Sequence, residues 1–509
     1  MTTHQQHCKR IQNAFMQFIT TSILLLSVAA CGGGGGSSPD TNTGNGNNGG
    51  NNNGNGGDDT PVVKQVTLST NQVTLASNGI MSKFTVTSEK DWQISQLPTW
   101  LKASVEQADG ATNGVTVELT AEVNHLSSSR SSDIKIANAD DEKTLTVTQA
   151  AFVYQLPVNT DGMRDITATE ITELMGTGFN IGNSMEAVGG ETAWGNPQIS
   201  TDLIDAIKAA GFKSIRLPVS WSQFSDESNY TIKTDWLDRV EQVVAYALSQ
   251  DLYVMLNMHW DGGWLQPTYA TQNYANHRLA LMWTQIANRF EKYDDKLLFA
   301  GTNEVMVTGD YGTPTLEYYT VQNSFNQTFV TTVRETGGRN AVRHLIFQGF
   351  NTNIDHTINF VTIPEDLVSN KMLLEVHFYD PYEFALQEVS NATQWGKNAT
   401  DATDATKTAG WGDESHIDTQ FSRMYNNFYQ QGLGLILGEF GAFARRNLAE
   451  HEAYRHDWHR HVTQTALAQK LVPFYWDNGD VNDLGFALFN RHTAAQIEPT
   501  LIKIVTDTE

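Results

Sequence analysis

Leu297-Leu298-Phe299-Ala300-Gly301-Thr302-Asn303-Glu304 and Leu435-Ile436-Leu437-Gly438-Glu439 are two apolar, β-prone runs that each end on a glutamate. Either one alone reads as a strand followed by a solvated residue or half of an ion pair. Six more runs of the same kind surround them: Phe179-Asn180-Ile181-Gly182-Asn183, Ser214-Ile215-Arg216-Leu217-Pro218, Tyr253-Val254-Met255-Leu256-Asn257-Met258-His259, Leu345-Ile346-Phe347-Gln348-Gly349, Leu373-Leu374-Glu375-Val376-His377-Phe378-Tyr379 and Val472-Pro473-Phe474-Tyr475-Trp476. Helical periodicity lies between them, as in 201–210 and 236–248. Eight strands alternating with helices over residues 152–509 predict an α/β fold, a (β/α)8 barrel with its active site at the C-terminal strand ends.

Those ends carry Asn183, Arg216, His259, Asn303 with Glu304, His377 with Tyr379, Glu439 and Trp476. An ionisable residue where a buried strand runs out is costly unless it is used, and two carboxylates facing each other across a barrel mouth are the means of cleaving a glycosidic bond. The set resembles glycoside hydrolase family 5 over the whole C-terminal region. Met175-Gly176-Thr177-Gly178-Phe179-Asn180-Ile181-Gly182-Asn183, Thr192-Ala193-Trp194-Gly195-Asn196-Pro197 and Ile215-Arg216-Leu217-Pro218-Val219-Ser220-Trp221 resemble its subfamily of endo-β-1,4-glucanases and xyloglucanases. The resemblance implies Glu304 as general acid/base and Glu439 as nucleophile of a retaining endo-β-1,4-glucanase, with xyloglucan the expected substrate. Cellulose, mixed-linkage β-glucan, or a silent glycan-binding lipoprotein are the alternatives. It further implies that Asn303 bonds the sugar 2-hydroxyl, that Arg216 and Tyr379 hold Glu439 ionised, and that His377 supports Glu304. His259 and Trp476 would shape the floor under the reacting sugar. Trp260 and Trp264 are candidates for one arm of the cleft. The long segment 383–414 offers Trp395 and Trp411 for the other, around an Ala-Thr-Asp run expected to be mobile.

The N-terminus reads differently. Lys9 and Arg10 precede an apolar stretch that closes on Val28-Ala29-Ala30-Cys31. The stretch is too short to span a membrane and reads as a secretory leader over residues 1–30. It resembles a bacterial lipoprotein signal with Cys31 as the lipidated residue; an ordinary cleavable signal is the alternative. Gly32 after Cys31 fits an outer-membrane destination. Residues 31–60, nearly all Gly, Asn, Ser, Thr and Asp, read as a flexible tether. Residues 61–151 alternate in short strands and predict a small β-sandwich. Trp92, Leu97-Pro98, Trp100-Leu101 and Leu145-Thr146-Val147-Thr148-Gln149 resemble the BACON module, an immunoglobulin-like domain. Trp92 and Trp100 read as core residues in preference to a sugar platform, so this domain is expected to be a spacer.

Apolar content of 40% is that of a globular protein, and a formal charge of −24 opposes nucleic acid and anionic membrane surfaces as partners. The partner expected is a neutral polysaccharide, with the membrane met only through a lipid anchor and the protein a monomer. With Cys8 lost in the leader, one cysteine remains and no disulfide forms. No metal or cofactor is expected. His451 and His456 are five apart, so the i, i+4 zincin pairing fails, and His451, His456, His459 and His461 read as exposed helix residues. Gly32–Gly36 follows no strand and is no phosphate loop. Asn391-Ala392-Thr393 and Asn398-Ala399-Thr400 match a glycosylation pattern that a bacterial lipoprotein would not use.

Overall fold

The eight apolar runs close on themselves. In the computed structural model, which describes residues 65–507 apart from Asn78, Ile80, His125, Trp260, Asp261, Ala402 and Ala405, they form one parallel barrel. The expected leader, Cys31, the tether and Trp260 lie outside the described residues.

The first described elements are nine short strands: β1 (Thr67–Leu68), β2 (Gln72–Leu75), β3 (Ser82–Ser88), β4 (Trp92–Ser95), β5 (Leu101–Ala103), β6 (Gln107–Ala108), β7 (Ala111–Ala121), β8 (Arg130–Ala137) and β9 (Glu142–Gln149). They make two sheets, β1-β3-β7-β5 and β2-β9-β8-β4-β6. Alternation along β3 and β9 sends Phe84, Val86, Leu145 and Val147 inward, where they pack with Trp92. Trp100 is half-buried against that core, with the Arg130 guanidinium 4.7 Å from its ring centre. Trp92 is enclosed, and the guanidinium lies over the ring of Trp100. Ser77 Oγ donates a hydrogen bond to Glu335, at the end of the barrel helix Leu316–Glu335.

The barrel strands are β10 (Gly178–Ile181), β11 (Ser214–Leu217), β12 (Tyr253–Asn257), β13 (Leu297–Ala300), β14 (Leu345–Gln348), β15 (Met372–Phe378), β16 (Gly434–Phe440) and β17 (Leu471–Asp477), paired in chain order and closed by β10 against β17. Parallel strands covered on both sides read as unbroken apolar runs, and every residue of β13 and β15 is buried. Side chains still alternate. Leu297 and Phe299 face the outer helices, whereas Leu298 and Ala300 point into the barrel with Met255, Ile346, Leu373, Ile436 and Phe474. Helix Ala168–Met175 closes the N-terminal mouth with Ala168, Ile171 and Met175, and its start is fixed by a reciprocal bond between Thr167 and Glu170. With that end stoppered, the C-terminal mouth remains for chemistry. Helices Thr201–Ala209 and Thr234–Ser249 occupy the two periodic stretches the sequence indicates.

Candidate active site

Inward positions near the C-terminal end of the barrel change from apolar to polar. The same alternation that points Ser214 inward on β11 points Arg216 inward, one step nearer the mouth; on β15 it points Glu375 and then His377. Arg216 is fully buried and uses its guanidinium as a fork. Nη1 donates to Asn180 Oδ1 at 3.0 Å and Glu439 Oε1 at 2.8 Å, Nη2 donates to Asn303 Oδ1 at 2.6 Å, and Nε lies 2.9 Å from Glu375 Oε1. Since Arg216 takes the carbonyl oxygen of Asn303, its NH2 is the group left to meet a sugar hydroxyl. Tyr379 Oη donates to the other oxygen of Glu439 at 3.0 Å.

Glu439 reaches this cluster through an irregularity. Leu435 and Leu437 face outward, so strict alternation would turn Glu439 outward as well. The register of β16 shifts on both sides, between Val376 and His377 of β15 and between Leu437 and Phe440 against β17, and Glu439 comes opposite His377. A bulge of this kind re-aims a side chain. Glu304 sits just beyond β13 in a left-handed backbone conformation, φ 46°, with its N–H donating to Gln348 Oε1 at 3.1 Å. Its side chain is 42% exposed, whereas Glu439 is buried. One oxygen of each carboxyl and Nδ1 of His377 lie within 4.8 Å of one another.

His377 joins the two halves. Nδ1 is 2.7 Å from Glu304 Oε1 and 3.6 Å from Glu439 Oε2, while Nε2 is 3.2 Å from Glu375 Oε1. Burial pushes the ring's proton affinity down, but Glu439, Glu304 and Glu375 outweigh it and raise its pKa to about 9. Partial desolvation at the barrel mouth pushes Glu304 up, yet the His377 hydrogen bond and charge, with Arg216, hold it below the ordinary carboxylate value. Burial raises Glu439, and the Glu304 charge adds to this against the pull of His377, Arg216 and Tyr379. The carboxylates around the ring thus favour a protonated imidazole beside Glu304.

His259 behaves oppositely to His377. Val219 N–H donates to Asn257 Oδ1, which turns Asn257 Nδ2 toward His259 Nδ1 at 3.1 Å and leaves the proton on Nε2. Burial, Arg216 and His377 keep this ring neutral. It stacks on Trp476 with 5.9 Å between ring centres and 9° between planes. Gly182 lets the indole lie there, because a Cβ at that position would stand 2.8 Å from Trp476 Cη2. Asn183 is at the same rim in a left-handed conformation, with its N–H donating to buried Glu186.

Two expectations need correction. Trp395 is 4% exposed, with its indole N–H on the Gly412 carbonyl at 2.8 Å, so it is a core residue and no sugar platform. Its segment is tied to helix His451–Ala468 by Asn398 to Asp457 and Thr400 to Tyr454. His451 and His459 are fully buried rather than exposed, and the His451 ring lies between the carbonyls of Thr393 and Phe443. Trp411 stays 44% exposed, and Trp264 is half-buried, with the Arg278 guanidinium 4.6 Å from its ring. Asn180, Asn257, Gln348 and Glu375 lie inside the apolar runs, so the end-of-run signal that singles out Glu304 and Glu439 does not reach them.

Residues 176–482 match the model of the cellulase family, glycosyl hydrolase family 5. Endoglucanase A of Paenibacillus barcinonensis is 40% identical over 384 residues, 71% of this chain and 95% of the relative. A xyloglucan-specific endo-beta-1,4-glucanase of Bacteroides ovatus is 40% identical over 438 residues, 80% of this chain and 85% of the relative. The solved structure of a Bacteroides ovatus xyloglucanase in complex with a XXXG heptasaccharide matches with TM-score 0.68 and 36% identity, over 87% of this chain and 99% of that one. A family 5 xyloglucanase from Paenibacillus pabuli matches with TM-score 0.64 and 40% identity, over 66% of this chain and 99% of that one. With a closed eightfold barrel, polar inward residues gathered at its C-terminal mouth, and matches of this extent, the chain belongs to glycosyl hydrolase family 5.

Proposed function

We propose that the protein is a retaining endo-β-1,4-glucanase that cleaves xyloglucan, with Glu439 as nucleophile and Glu304 as acid/base. The observation that carries the mechanism is the spacing of the pair. One oxygen of each carboxyl lies within 4.8 Å of the other, which suits the roughly 5–5.5 Å of a direct displacement and not the roughly 6.5–9.5 Å that must admit a water.

In the first step a Glu439 oxygen bonds to the anomeric carbon as the glycosidic C–O bond breaks. The leaving oxygen takes the proton shared by Glu304 and His377, which reaches Glu304 across the 2.7 Å bond. In the second step Glu304 accepts a proton from water, the hydroxide attacks the anomeric carbon, and Glu439 departs as carboxylate. Arg216 and Tyr379 hold Glu439 for an in-line approach and take up its returning charge. The Asn303 NH2 bonds the 2-hydroxyl as positive charge builds on the ring. Asn183 and the stacked His259–Trp476 pair line the floor.

Xyloglucan is preferred because matched proteins of two organisms, Bacteroides ovatus and Paenibacillus pabuli, carry that specificity in their names, and their matches span 85% and 99% of their own chains. Cellulose or mixed-linkage glucan is the second reading, favoured by a 34% identical broad-specificity endoglucanase from Bacteroides salanitronis. Release of reducing ends from xyloglucan, carboxymethylcellulose and barley β-glucan decides between them. Proton NMR of the first product is expected to show the β-anomer before mutarotation, and Glu439→Ala to remove nearly all turnover. Glu304→Ala is expected to hurt most on substrates with poor leaving groups. The α-anomer appearing first, or an active Glu439→Ala variant, overturns the assignment.

The leader over residues 1–30, followed at once by Cys31, supports a lipid-anchored place in the cell envelope, on the outer membrane, with residues 61–151 a spacer between anchor and barrel.

A further inference from the structure

The mechanism above leaves the buried carboxylate of β15 unused. Glu375 is fully buried, two residues before His377 on the same inward face of β15, one layer below the reacting carboxyls. No substrate reaches it. An isolated buried carboxylate is costly, and Glu375 is not isolated. Its Oε1 lies 3.2 Å from His377 Nε2 and 2.9 Å from Arg216 Nε, and its Oε2 accepts from Gln348 Nε2 at 2.7 Å. Gln348 in turn accepts the backbone N–H of Glu304. The backbone of β16 makes way for it: a Cβ on Gly438 would stand 2.0 Å from Glu375 Oε1. The four partners of this one side chain are thus the ring that holds Glu304, the guanidinium that holds Glu439 and Asn303, the amide that fixes the Glu304 backbone, and the residue before Glu439.

We infer that Glu375 is a positioning residue that keeps His377 doubly protonated and aimed at Glu304, and so sets how much proton the acid/base has to give at alkaline pH. This rests on the reading of Glu304 and Glu439 as the reacting pair. The groups facing His377 are Glu375 on its own strand, Glu304 beyond β13, Glu439 on β16, Arg216 on β11, His259 beyond β12 and Tyr379 beyond β15. Three carboxylates thus face two strong cations, Arg216 and His377. Carboxylates stand at both ring nitrogens, and a ring with a proton on each satisfies both. Without the Glu375 charge, Nε2 could keep a hydrogen bond, but the Arg216 charge would be less screened from the ring and its second proton would be lost at lower pH. The loss is expected to propagate to Glu304 through the His377 bond.

The test is the pH dependence of kcat/KM on soluble xyloglucan for wild type and Glu375→Gln, which keeps the side chain's shape and its hydrogen-bonding oxygen. Wild type is expected to lose activity as pH rises through about 9, and the variant to lose it about 1–3 units lower. On an aryl β-cellobioside whose leaving group needs no proton, the two profiles should converge. An alkaline limb unmoved in Glu375→Gln, or displaced equally on both substrates, overturns the inference. If the variant fails to fold, 15N-histidine NMR of wild type decides, with the His377 signal assigned by its loss in His377→Asn: protons on both ring nitrogens at pH 8 agree, and a neutral ring overturns it. A wild type inactive on every β-glucan would sink the reading of the reacting pair instead, and the NMR result would stand apart from it.

Discussion

Gly438 shows how one residue can hold a catalytic floor together. It stands beside Glu439, and its hydrogen occupies the only space the Glu375 carboxylate leaves. Gly438→Ala is expected to displace Glu375 or bend β16, at a stability cost of roughly 1–3 kcal/mol by overpacking. Turnover should fall on the order of 100-fold, since a displacement of about 1 Å at the reacting atoms is enough for that. Chemical denaturation and initial rates measure the two effects separately; a variant as stable and active as wild type would show that the close approach does not matter. His377 adds a pH term. Its pKa is raised on folding, so its contribution is full below about 6.5, the unfolded value, and is lost as pH rises through about 9. The midpoint of thermal unfolding should therefore drop across that window more in wild type than in His377→Asn. At this scale the sequence exposed Glu304, Glu439, Arg216, His377 and Tyr379 because each is polar at the end of an apolar run. It hid Glu375 because a mid-strand glutamate looks the same whether it is buried at a site or turned to solvent.

The segment after β15 is the element where sequence reading and structure part. Both Trp395 and Trp411 suggested sugar platforms, because long loops beside a barrel mouth tend to be functional. Only the packing separates them. Trp395 fills core space and is hydrogen-bonded at its indole, while Trp411 remains exposed with its N–H on Glu383 at 3.1 Å. Trp395→Ala is expected to cost about 3–5 kcal/mol of stability, with KM for xyloglucan unchanged in the folded fraction. Trp411→Ala should leave stability within about 0.5 kcal/mol and raise KM several-fold. Denaturation curves and Michaelis plots on both variants check this, and the reverse pattern would restore Trp395 as a sugar contact. Helix His451–Ala468 misled in a related way. Its histidines are spaced for an exposed helix, but the loop covers His451, and His459 turns onto Phe440 and Tyr475 of the barrel. Periodicity assigns a face to a helix without saying what covers the other faces.

Across the whole chain, two predictions follow from the division of labour proposed for its parts. A protein beginning at Phe152 should keep its kcat and KM on soluble xyloglucan, because no described residue of the sandwich enters the group around Glu304 and Glu439. Impaired action on insoluble substrate alone would instead mark Trp100 or another sandwich residue as a binding surface. Cys31→Ser should move the full-length protein from the membrane to the soluble fraction at unchanged activity; unchanged partitioning would sink the lipid anchor. The barrel was legible from the sequence by itself, since parallel strands buried on both faces must be written as uninterrupted apolar runs, and eight of them between helical stretches have few other ways to close. The polar ends of those runs marked the rim on the same ground. What the tertiary structure decided was everything that depends on two strands at once: the register shift that turns Glu439 inward beside His377, the close approach of Glu375 to Gly438, the short bond between His377 and Glu304, and the burial of Trp395. A linear pattern carries the period of a strand and the cost of burying each residue. Distances between carboxylates, and hence their charges, arise only when the strands are set side by side.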